Sequence, residues 1–147
     1  MTATYVNAGG ELRWMENALR ELGVREVPGA GNNPRILEYH RVTTLKATTD
    51  ATPWCAAFTC FVLESVGIKS TRSAAARSYL TWGTSVQPFY GSIVVFKRDE
   101  AGPAAGHVGF CIGPAGGSLA VLSGNQDDSV CVQLYPVTDL LDARWPV

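Results

Sequence analysis

The order of patterns along this chain predicts an α+β domain, with N-terminal helices packed on a C-terminal antiparallel β-sheet. Three observations carry that expectation. Apolar residues recur at helical spacing in segments that all lie before Gly67, whereas beyond Gly83 they fall into short alternating or apolar runs separated by Gly, Pro, Asn and Asp. The chain has 147 residues, 46% hydrophobic and 17% charged, which is the size and make-up of one globular domain. No internal repeat or low-complexity linker divides it, so residues 1–147 read as a single domain.

From Glu11 to Leu22, the spacing of Leu12, Met15, Leu19 and Leu22 predicts an amphipathic helix stopped by Gly23. Residues 24–33 hold Pro28, Gly29 and Gly31 and read as a loop beside the mouth of a groove. Asn33-Pro34 supplies a cap and a first-turn proline for a short helix ending near Arg41. Pro53 to Val66 is apolar nearly all round and predicts a buried helix, which Thr52 caps and Gly67 ends. Ser73 opens a further short helix from Ala74 to Trp82. Strands are then expected at 93–96, 107–112, 119–122 and 130–135, joined as an antiparallel meander.

The buried helix would hold Cys55 in its first turn. There the unpaired backbone N–H groups and the positive end of the helix dipole favour a thiolate over a thiol. Such a nucleophile needs a base, and the chain has only two histidines. His40 falls in the last turn of the second helix, where it reads as dipole complementation. His107 opens an alternating run between small residues and is expected to be the base. A third group should accept from the other ring nitrogen and so fix its tautomer. Asn125 lies 18 residues later at the end of the next strand; Gln126, Asp127 and Asp128 are its rivals in what is otherwise a polar turn.

Pro53-Trp54-Cys55-Ala56-Ala57-Phe58, Gly106-His107-Val108-Gly109-Phe110 and Gly124-Asn125-Gln126, in that order, resemble the motifs of papain-like cell-wall hydrolases of the CHAP and NlpC type. The likeness extends to Leu22-Gly23-Val24-Arg25-Glu26 and to 33–39, which resemble a subgroup found in phages and bacterial genomes. It implies a papain-like fold and a cysteine peptidase or amidase acting on the peptide part of peptidoglycan, with Cys55, His107 and Asn125 catalytic and no cofactor. An endopeptidase is preferred slightly to an amidase that cuts between glycan and peptide. Tyr39 would help bind the oxyanion, and Trp54 and Gln126 would line the substrate side. NlpC-type members often place a histidine third; this chain has none after His107, so it departs toward the asparagine pattern.

The remaining composition narrows the partners. A net charge of −1 gives no attraction for nucleic acid or anionic membrane, and no apolar run approaches the ~20 residues of a membrane span. The four cysteines contain no C-x-x-C pair and histidine is scarce, so no metal site is expected. Cys60, Cys111 and Cys131 read as small core residues. Residues 1–10 lack the pattern of a secretory leader, so synthesis in the cytoplasm is expected, with delivery to the wall by a phage or secretion system and an immunity protein as a conceivable partner.

Overall fold

The computed structural model describes residues 5–147, so the leader reading rests partly on residues outside the described ones. Three α-helices come first, α1 (Arg13–Arg20), α2 (Pro34–Arg41) and α3 (Cys55–Ser65). A 3₁₀ turn over Ala76–Thr81 leads into β1 (Thr84–Val86), β2 (Ile93–Lys97), β3 (Gly106–Ala115), β4 (Ser118–Gln126), β5 (Ser129–Pro136) and β6 (Leu140–Trp145). The strands form one antiparallel sheet in the order β1-β6-β2-β3-β4-β5. The mixed α+β class and the meander from β2 to β5 match the sequence pattern. β1 and β6 do not appear in it, because Asp142 and Arg144 interrupt any apolar run; in the fold they pair with each other at 2.8 Å and Arg144 also donates to the Trp82 carbonyl.

α3 is the centre of the molecule. Cys55, Ala56, Ala57, Phe58, Cys60, Val62 and Leu63 are buried, and they pack on the sheet face carrying Val95, Val108, Phe110 and Leu122. Each large side chain removed from water there stabilises the fold by about 1.5–3 kcal/mol. The other face buries a smaller cluster of Val94, Phe96, Cys111, Val121 and Ala143, with Tyr135 packed against it. Among the described residues no helix is long and apolar enough to cross a membrane.

Four local expectations need correction. α1 turns Trp14, Met15 and Ala18 inward and leaves Leu19 and Leu22 exposed, because the Trp14 indole donates to the Gly91 carbonyl at 2.9 Å and fixes the helix rotation. α3 begins two residues later than its Thr-Pro signal, with Trp54 at the cap and no side chain capping it; the Thr52 hydroxyl is taken by Thr49 at 2.7 Å. The segment after Ser73 is a 3₁₀ turn rather than an α-helix. Cys131 is half-buried on β5 and its thiol donates to the Gln126 carbonyl, so it is no core residue. α2 keeps its expected form, with the Asn33 side chain accepting from the Arg35 amide at 2.9 Å.

Candidate active site

Cys55 is the first residue of α3, so its own N–H and that of Ala56 have no partner within the helix. The thiol lies over these groups and against the backbone of Val108, the residue after His107. The Val108 carbonyl accepts from the Ser123 hydroxyl at 2.6 Å, and β4 leaves its register with β5 just beyond, between Ser123 and Gln126. Gly124 sits in the same irregular stretch. A Cβ there would come within 2.4 Å of the Trp54 ring, so glycine is what lets the start of α3 press against β4.

His107 opens β3 opposite Phe96 of β2. Its Nε2 lies 2.8 Å from Gln126 Oε1. The Gln126 amide nitrogen is itself committed, donating to the Cys131 carbonyl at 2.6 Å and the Val121 carbonyl at 3.2 Å. That fixes which end of the amide faces the histidine. An amide oxygen only accepts, so Nε2 must carry the hydrogen, and Nδ1 of the neutral ring is left as the basic nitrogen. Tyr135 stacks on the imidazole with ring centres 4.7 Å apart and planes 18° apart, and its hydroxyl donates to the same Gln126 oxygen at 3.1 Å.

The third position therefore corrects the expectation for Asn125. That residue occupies a left-handed backbone conformation, φ +59°, in the irregular stretch of β4, and the next side chain, Gln126, is the one on His107. Gln126, expected on the substrate side, is instead buried with its side chain on His107. Asp127 and Asp128 turn the hairpin in left-handed conformations, and Asp127 faces solvent and Arg25. Tyr39 is fully buried and donates to Glu21 at 2.6 Å, between Trp54 and Phe61, so its hydroxyl is spent inside the helical layer. Trp54 is fully buried too, its indole N–H held by Glu26 at 2.8 Å. This makes it a clamp between the loop at 24–33 and α3 rather than a substrate surface.

The electrostatics also differ from the expected thiolate. Only 6% of Cys55 and 3% of His107 is exposed. Burial pushes the Cys55 thiol up, against smaller opposing effects from the Val108 and Ala56 backbone and the Arg98 charge. Burial likewise lowers His107 to about 4; the Gln126 contact opposes this and Arg98 adds to it. At rest both groups are uncharged, Cys55 as a thiol and His107 as a neutral imidazole. The helix terminus was expected to win and desolvation wins instead.

Arg98 and Tyr135 are the neighbours that the sequence reading missed. Arg98 follows β2 and reaches both groups with its charge, and it also contacts the exposed Glu100 at 3.5 Å. The loop at 24–33 borders an open groove of about 280 Å³ between Arg25–Gly29, Ala51 and Asp128, which neither Cys55 nor His107 lines. Among the described residues no cluster of His, Cys, Asp or Glu could hold a metal ion. The chain matches no family model and no curated protein.

Proposed function

We propose that the chain is a papain-like cysteine hydrolase that cleaves an amide bond in the peptide moiety of peptidoglycan. The observation that carries the chemistry is the locked tautomer of His107, which leaves Nδ1 as the basic nitrogen one residue before Val108, whose backbone lies against the sulfur at the start of α3. The resemblance of the three ordered motifs to CHAP and NlpC enzymes supplies the substrate class.

In the reaction the Cys55 proton passes to His107 Nδ1 as the sulfur attacks the carbonyl carbon. The resulting oxyanion is held by the N–H groups that open α3. His107 then gives its proton to the departing amine and the C–N bond breaks, leaving a thioester. A water that loses its proton to His107 attacks the thioester, the acid product leaves, and Cys55 regains its proton. Because both partners start neutral, proton transfer accompanies attack instead of preceding it. An endopeptidase is slightly preferred to an amidase. Arrival at the wall by a phage or secretion system, and pairing with an immunity protein, belong to the same reading.

Purified sacculi digested with the wild type and with Cys55→Ala, followed by mass spectrometry of the muropeptides, test the proposal and name the bond. New peptide ends with the wild type alone support it, and equal activity of a folded Cys55→Ala protein refutes it. The near-complete burial of both groups favours a second reading, a wall-binding component of a phage tail or delivery device that keeps the fold without turnover. Under that reading sacculi bind the wild type and Cys55→Ala equally and release no fragments.

A further inference from the structure

Tyr135 stands 28 residues beyond His107 at the far end of β5, two strands away, yet it contacts both the imidazole and the amide that holds it. Its ring lies nearly parallel to the imidazole at 4.7 Å and also against Phe96, the cross-strand partner of His107, at 5.0 Å. Its hydroxyl reaches Gln126 Oε1 at 3.1 Å. That oxygen has two lone pairs, and the His107 Nε2–H and the Tyr135 O–H occupy both. The nitrogen end of the same amide is satisfied by the Cys131 and Val121 carbonyls. Gln126 is therefore saturated, and turning its amide over would oppose its NH₂ to the Tyr135 hydroxyl and the Nε2–H while opposing its oxygen to two carbonyls.

We propose that Tyr135 is a positioning residue for the base, its ring fixing the plane of His107 and its hydroxyl completing the lock that keeps the proton on Nε2. This rests on the reading of His107 as the base. In an antiparallel ladder the Leu119–Tyr135 pair would ordinarily serve only the sheet. Here the tilt of one aromatic side chain on that pair brings a face to an imidazole and a hydroxyl to an amide. The Nε2 to Oε1 bond is buried, and a buried bond holds its geometry better than an open one.

Tyr135 holds the ring face and the amide on Nε2, and so governs where the proton sits and how the ring is aimed. Its removal is expected to act on turnover far more than on binding.

The experiment compares the wild-type chain with Tyr135→Phe and Tyr135→Leu by two readouts. Nitrogen-15 spectra of the His107 ring report which nitrogen carries the hydrogen, with no substrate present. Muropeptide release from sacculi reports kcat and KM. The wild type is expected to show the Nε2–H tautomer alone. Tyr135→Phe, which keeps the ring and loses one hydrogen bond of ordinary strength, should lower kcat about fivefold to tenfold at unchanged KM. Tyr135→Leu should populate the Nδ1–H tautomer and lower kcat further. A Tyr135→Leu protein with wild-type ring spectra and wild-type kcat overturns the proposal; if it does not fold, Tyr135→Phe with unchanged spectra and kcat does so. The two readings fail separately: a wild type that digests nothing defeats the hydrolase, while the ring spectra still decide whether Tyr135 sets the tautomer.

Discussion

The two histidines of this chain are both buried and both held neutral by that burial, yet they inhabit opposite kinds of surroundings. His107 has its Nε2 on Gln126 and an aromatic ring across its face. His40, in the last turn of α2, is fully buried, and neither ring nitrogen closes a hydrogen bond among the described residues. The Thr49 and Thr52 backbone and Asp50 lie close enough to favour its protonated form, though burial outweighs them. Dipole complementation by a cation, expected for His40, therefore gives way to a neutral ring serving as packing. Burial is common to both histidines; the fixed partner on one nitrogen is what sets His107 apart.

The largest effect should come from breaking the better-connected member. His107→Asn is expected to lower kcat/KM on sacculi by at least ~10³-fold with the fold retained, whereas His40→Asn should change it less than about threefold. Comparable losses from both would erase the contrast. Next, Gln126→Leu leaves Nε2–H, the Tyr135 hydroxyl and two carbonyls without partners. It should cost ~10²-fold in kcat and some 2–3 kcal/mol of stability in urea titration. Asn125→Gly, which suits the left-handed backbone there, should leave turnover within about twofold. A reversed ranking restores Asn125 as the third residue.

The pH dependence sharpens the same contrast. With His107 lowered to about 4, the acid limb of kcat/KM should fall well below the ~6.5 of an ordinary imidazole. Arg98→Gln removes a charge that lowers both His107 and Cys55, so it should move the limb upward and slow alkylation of Cys55 by iodoacetamide. A limb near 6.5 in the wild type would count against the buried resting pair. The same shift sets stability. The unfolded chain takes up protons near ~6.5 and the folded one only near 4, so the stabilisation is whole above ~6.5 and drains away as pH falls toward 4, by an amount on the order of 3 kcal/mol.

His40 is lowered as well and adds to this loss in the same direction. His40→Phe removes two unpaired polar atoms from the core and one of these proton sinks. It should raise the urea midpoint at pH 5 by the equivalent of about 1 kcal/mol, with a smaller gain at pH 7. Destabilisation at both pH values would mean that the ring nitrogens contribute bonds after all.

Much of this arrangement was legible in the sequence because it rests on local signals. Asn33-Pro34 announced α2, the apolar run after Cys55 announced a buried helix, and the placing of His107 at the head of an alternating run identified β3. The third residue was not legible, since spacing locates a neighbouring strand but a register shift decides which side chain turns inward, and here it turned Gln126 in place of Asn125. Tyr135 carried no signal at all, as its contacts to residues 9 and 28 positions away exist only once β3, β4 and β5 are side by side. The balance at Cys55 failed for a different reason: a helix start can be read from residues, but the depth at which the whole domain buries it cannot.

Gly124 bears on how this protein tolerates change. With the Trp54 indole filling the space where another residue's first carbon would stand, a single methyl there acts as a wedge between β4 and the helix that carries the sulfur. Its neighbour Asn125 has a backbone angle that glycine accepts easily. A library randomising this hairpin should thus draw an abrupt border between two adjacent codons, one frozen and one free, set by the thickness of an aromatic ring.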